Sequence, residues 1–215
     1  MRKTLNRERV EGRIYQHNLV IKTVQNQTSA NYGKEFISGN LEVAVDEEGL
    51  NVIPVHFTYV VETTSSGAKN ATYSNLKKII EEGKTWIANG KDEAQKVRID
   101  TAIALNDFYT QDNQLVSVKT NEGGFVSFVN ELSLENERNT FEADMLITGV
   151  SRVEVNPDRN IDTEYVVVKG AIFNFRNEVL PVDFILRNKD GFKHFENMDA
   201  SGANEILSSA LQPKE

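Results

Sequence analysis

The sequence contains no cysteine. That excludes disulfides, thiolate nucleophiles and cysteine-ligated zinc together. It also lacks any apolar run near the ~18 residues that a membrane-spanning helix needs. The opening MRKTLNRERVEGR is basic but has none of the apolar core of a secretion signal, so a cytoplasmic protein is expected. Positive charge is in short supply: 24 Lys and Arg stand against 32 Asp and Glu, for a net charge of −8 and a pI near 5.1. A protein that wraps duplex DNA by bulk electrostatics is usually basic, so that class is disfavoured. Proline is also scarce, with four in 215 residues, which makes the position of each one informative.

The charge is unevenly spread. Residues 1–34 carry seven Lys and Arg against two Glu, a net +5, whereas residues 35–62 carry six acidic residues and no Lys or Arg. A basic N-terminal arm on an acidic body fits a local groove for a polyanion; a solvated arm fits equally well. A hydrophobic content of 39% over this length is enough for a buried core, in one large domain or two small ones.

Two of the four prolines occupy one repeated pattern: NVIPVHF at 51–57 and EVLPVDF at 178–184. A proline in a strand removes a ladder N–H, so it implies an edge or a bulge. The surrounding sequence repeats as well. RVEGRIYQ (9–16) compares with MLITGVSRVEV (145–155), and KEFISGNLEV (34–43) with EYVVVKGAIFN (164–174). A first-strand glycine, a second-strand glycine and a third-strand proline recur in one order, which predicts an internal repeat of a β-rich unit.

Alternation of apolar residues predicts strands at 10–24, 35–45 and 50–61. In the third strand Ile53, Val55, Phe57, Tyr59 and Val61 form the expected core face. Thr72 or Ser74 is the expected cap of a helix running to about 89, with Gly83 interrupting it. A fourth strand follows at 96–105. A fifth, at 115–129, is expected to be broken by a turn at 121–124. Three strands, a helix and two strands is the order of an oligonucleotide/oligosaccharide-binding (OB) barrel. The expected architecture is therefore all-β dominated: an OB-like five-stranded barrel with one helix over residues 1–131, then a second, incomplete OB-like unit over 132–215 ending in a helix at 203–211. Residues 132–140, polar and acidic, read as the linker. The incomplete unit would leave a strand edge uncovered, which favours either contact between the two halves or pairing with another copy in a homo-oligomer.

No catalytic constellation stands out. His17, His56 and His194 are far apart in sequence. Gly83-Lys84-Thr85 resembles the end of a phosphate loop, but Lys78 stands where the first glycine is required. No enzyme activity, cofactor or metal is expected. The chemistry of single-strand binding is better represented, because aromatic rings stack on bases and cations follow phosphates. Opposite the predicted core face lie Arg13, Tyr15, Phe36, Ser38, Asn40, His56 and Thr58. Lys22, Tyr32, Lys34, Lys69 and Tyr73, with Arg98, Phe108, Tyr109 and Lys119 from the later strands, would extend the groove.

The stretches VEGRIY (10–15), GKEFISGNLEVA (33–44), LNVIPVHFTYV (50–60), KVRIDTAIALNDFY (96–109) and NEGGF (121–125) make residues 9–130 similar to single-stranded DNA-binding proteins of bacteriophages and prophages with the OB fold. The resemblance implies sequence-independent, cofactor-free coating of single-stranded DNA in replication or recombination, beside replication or recombination proteins and, for a phage-encoded chain, in the host cytoplasm. Members of that family often end in an acidic tail, and this chain ends SSALQPKE. The alternative reading is a β-rich virion or tail component that self-associates through sheet edges.

Overall fold

The computed structural model describes residues 5–64, 66–174 and 178–187. Arg2, Lys3, His194 and the expected C-terminal helix lie outside them. The described chain forms two compact units, one of residues 7–142 and one built mainly from 143 onward.

The first unit contains strands β1 (Asn6–His17), β2 (Val20–Thr23), β3 (Glu35–Ala44) and β4 (Val52–Val61), then helices α1 (Ala71–Glu82) and α2 (Trp86–Asn89). Strands β5 (Lys96–Tyr109), β6 (Leu115–Phe128) and β7 (Asn139–Ala143) complete it. The sheet order is β2-β3-β4-β6-β5-β1-β7, and β1 pairs additionally with β3. That extra pairing closes β1, β3, β4, β6 and β5 into a ring, with a short parallel contact between β4 and β6 at Val55↔Asn121 and His56↔Glu122. The strand-alternation pattern fills the ring: Val10, Ile14, Ile37, Leu41, Val43, Val55, Phe57, Val97 and Ile99 are all fully buried inside it. Helix α1 contributes Leu76 and Ile79 to the same core. This is the OB-like, β-dominated architecture that the element order implies.

Local differences from the sequence expectation have local causes. The cap of α1 is Asn70, whose side chain accepts the Thr72 N–H at 3.1 Å and donates to Val61 O at 2.9 Å. Thr72 and Tyr73 are buried against the barrel. The helix stops at Gly83, as expected from the glycine, and Trp86–Asn89 is a separate turn. The turn expected at 121–124 is instead a bulge inside a continuous β6: the β5–β6 register shifts between Asp100 and Ala102. Gly124 makes that approach feasible, because its φ is +113° and a Cβ there would sit 2.1 Å from Asp100 O.

Residues 132–142 belong to the first unit and are not a linker. Ser133 N donates to Glu11 Oε1, and Glu11 N donates to Arg138 O at 2.7 Å. The buried Arg138 side chain donates to Glu47 Oε1 at 2.7 Å, to Val45 O at 3.3 Å and to Ser133 O at 2.9 Å. Truncating it strands three acceptors at once. Arg138→Ala is therefore expected to lower unfolding free energy by about 1–2 kcal/mol, read as a lower urea midpoint; an unchanged midpoint would show that the segment is only draped on the barrel.

The second unit is a three-stranded antiparallel sheet of β8 (Leu146–Val153), β9 (Tyr165–Phe173) and β10 (Val179–Leu186), in the order β10-β9-β8. It repeats the β1-β3-β4 connectivity of the barrel. Val166 and Val168 form its small core, with Met145, Ile147, Val150 and Leu186 packed around them. The two proline patterns keep the same alternation: Pro54 and Pro181 point outward while the following Val55 and Val182 are buried. Each proline also sits where a strand side is unpaired. β10 is an outer strand among the described residues, and Pro54 lies one residue before the β4–β6 contact begins. The bulge in β4 is further along. Ile37 faces Val60 and Gly39 faces Phe57, so the single residue Ser38 is spanned by both Thr58 and Tyr59.

Candidate nucleic-acid interface

That bulge decides what the barrel displays. Along β4, Val55 and Phe57 point into the core. Strict alternation would send Tyr59 inward as well. One extra residue reverses the parity, and Tyr59 emerges 45% exposed. Its ring packs beside Phe36 of β3, with centroids 4.7 Å apart and planes tilted by 40°. Gly39, opposite Phe57, has a φ of +131° and lets the Asn18–Leu19 segment pass close by, since a Cβ would fall 2.6 Å from Asn18 O. On the neighbouring strand, Lys22 stands directly opposite Phe36. Two rings with a cation beside them form a platform of the kind on which unpaired bases stack.

The platform continues across β4 as two shallow grooves, of about 500 Å³ and about 440 Å³. Both are lined by Asn40 and His56. The first runs past Lys22, Phe36, Ser38 and Thr58, and the second past Asn106, Val118, Lys119 and Asn121. Hydrogen bonds fix the polar groups between them. His56 Nδ1 lies 2.7 Å from Asn40 Oδ1. Thr58 Oγ1 donates to Glu122 Oε1 at 2.7 Å, and Asn121 Nδ2 donates to Pro54 O at 3.3 Å. Beyond Lys119, β5 and β6 extend as a hairpin whose Phe108 and Tyr109 are 44% and 67% exposed.

The residues proposed from sequence separate into three groups. Lys22, Phe36, Asn40, His56, Thr58 and Lys119 meet on this face. Tyr109 lies on the hairpin, and Tyr32, Lys34 and Lys69 are exposed in loops, with Lys34 Nζ held by Asn31 Oδ1 at 3.1 Å. Arg13, Tyr15, Tyr73 and Arg98 are elsewhere. Tyr15 packs on Trp86 at 6.0 Å between centroids. Arg13 lies 4.0 Å from Glu47, a carboxylate also held by Lys91 and Arg138 and so pulled down to about pKa 2. Tyr73 is buried, and its hydroxyl donates to Glu35 Oε2 at 3.1 Å; burial pushes that hydroxyl's pKa up. Arg98 is paired with the buried carboxylate of Glu11 at 2.6 Å. Each of these four has a partner distant in sequence, which strand alternation does not reveal. Tyr59, Asn106, Asn121 and Glu122 are the additions, and only the bulge and the hairpin twist bring them to the face. Ser38 lines the first groove but is buried.

Among the described residues no helix is long and apolar enough to cross a membrane. A family model described as YorF matches residues 6–204. No curated protein matches. Among solved structures, the chain is similar to the crystal structure of the mitochondrial single-stranded DNA-binding protein Rim1 of S. cerevisiae, at 8% identity and a TM-score of 0.28, over 57% of this chain and 93% of that one. A likeness at that level leaves the function to the geometry of the face itself.

Proposed function

The chain belongs to the YorF family, and we propose that it binds single-stranded DNA without catalysis, through the outer face of β3 and β4 and the β5–β6 hairpin. The observation that carries this reading is the outward pair of Phe36 and Tyr59 with Lys22 beside it. Rings on an outer strand face gain little for folding, whereas each base stacked on such a ring contributes about 1–3 kcal/mol. Few cations line the face, which suits an acidic protein: Lys22, Lys119 and Lys34 would contact phosphates, and stacking would supply most of the affinity. The corresponding role is coating exposed single strands in the cytoplasm during replication or recombination, for a phage or its host.

The test is fluorescence anisotropy with labelled oligo-dT of about 30 nucleotides, titrated at several salt concentrations and against a duplex competitor. Binding is expected to weaken with a slope of roughly −2 in log K against log salt, for about three phosphate contacts at −0.7 each. The duplex should compete poorly. No binding at low salt would overturn the proposal.

A second reading, a self-associating β-rich assembly protein, draws on the exposed apolar residues of the hairpin, Phe108, Tyr109, Leu115 and Val118. It predicts concentration-dependent oligomers that oligo-dT leaves unaffected.

A further inference from the structure

Within the proposed face, one residue is of the wrong sign for a phosphate track. Glu122 stands opposite His56, which lines both grooves, in the β4–β6 contact. Thr58 engages one of its oxygens, and among the described residues no hydrogen bond or ion pair engages the other. The carboxylate is therefore oriented by the protein, but half of its accepting capacity is unused. Next to it, His56 Nδ1 and Asn40 Oδ1 share a 2.7 Å hydrogen bond. An amide oxygen only accepts, so the ring carries its proton on Nδ1, and the Asn40 amide keeps its Nδ2 hydrogens for another partner. An unused anionic acceptor and a spare amide donor thus lie on one surface, beside the ring platform.

We propose that Glu122 makes this interface prefer bases that carry an exocyclic amino group, so that it binds cytosine-containing single strands more tightly than thymine-containing ones. The inference rests on the single-strand reading given above. A carboxylate accepts from the cytosine N4 amino group, a recognised pairing of acidic side chains with that base. The cytosine N3 and O2 acceptors suit the Asn40 Nδ2 donor. Thymine offers only N3–H, set between two carbonyl oxygens that a carboxylate repels. The two pyrimidines have rings of the same size, so stacking on Phe36 and Tyr59 contributes nearly equally to both. Phosphate is repelled by Glu122 as well, so the strand would run with its bases over Glu122 and its backbone toward Lys22 and Lys119.

The experiment is competition against labelled oligo-dT by unlabelled oligo-dC and oligo-dT of equal length, about 12 nucleotides, near neutral pH. Wild-type protein is expected to favour oligo-dC by roughly fivefold or more. Glu122→Gln, which keeps the shape and an acceptor for Thr58, is expected to bring the ratio close to one. Circular dichroism melts of both proteins would exclude unfolding as the cause. Equal competition by the two oligomers in the wild type, or a preference that survives in folded Glu122→Gln, would overturn the proposal and leave single-strand binding standing. If neither oligomer binds at low salt, both the preference and the underlying reading fail.

Discussion

The double variant Phe36→Ala with Tyr59→Ala is expected to lose about 30- to 1,000-fold in affinity for oligo-dT, the equivalent of about 2–4 kcal/mol for two lost stacking surfaces. Its fold should survive. Phe36 is only partly buried and Tyr59 is 45% exposed, so removing both rings costs mainly their mutual contact, about 0.5–1.5 kcal/mol. Phe57, two residues before Tyr59 in the same strand, provides the contrast. It is fully buried in the barrel, and Phe57→Ala is expected to destabilise by about 3–5 kcal/mol through the cavity it leaves. The measurements are anisotropy titrations and urea melts on the same preparations. If the double variant melted early with intact affinity per folded molecule, the rings would be a surface core and not a platform. A folded double variant with unchanged affinity would place the binding site elsewhere.

The contrast between Phe57 and Tyr59 also marks how far the fold was legible in the sequence. Alternation in VIPVHF correctly separates the buried Val55 and Phe57 from the outward Pro54 and His56. It fails two residues later, at Tyr59, because a bulge leaves no trace in a hydrophobic pattern. The repeated proline pattern falls on β4 and β10, each paired antiparallel with the strand before it and each with its proline outward. The site was less legible. Phe36, Asn40 and His56 fall together on one face because outward residues on adjacent strands share it. Tyr15, Tyr73, Arg13 and Arg98 belong to the same residue classes, yet Trp86, Glu35, Glu47 and Glu11 hold them elsewhere. Such pairings depend on closure of the barrel, which brings together residues as far apart as Glu11 and Arg98. The segment 132–140 reads as a linker by composition, whereas the buried Arg138 side chain and the hydrogen bonds of Ser133 N and Arg138 O with Glu11 fasten it to the barrel.

Barrel closure also leaves one carboxyl group in a position that makes stability depend on pH. Glu8 of β1 is buried, and its Oε2 atom has no hydrogen-bond partner among the described residues. Burial pushes its pKa up from 4.5 to about 7. A group whose pKa is raised on folding contributes its full stability below the unfolded value and loses it as pH rises through the folded value. Ionisation of Glu8 should therefore remove stability between about pH 4.5 and about pH 7, on the order of 3 kcal/mol in total. Other groups act differently. Glu47 is held down to about 2 by Lys91 and Arg138, and its contribution disappears only as pH falls below the ordinary carboxylate range. His17 is lowered by burial, so it opposes Glu8 by favouring the folded state as pH rises. Comparing wild type with Glu8→Gln cancels these other groups. The variant should match the wild type within experimental scatter near about pH 4 and exceed it by on the order of 3 kcal/mol near about pH 8. Urea melts across that range provide the measurement. A difference that stays constant with pH would mean that Glu8 ionises as freely in the folded barrel as in the unfolded chain, and that water reaches it through the end of the ring.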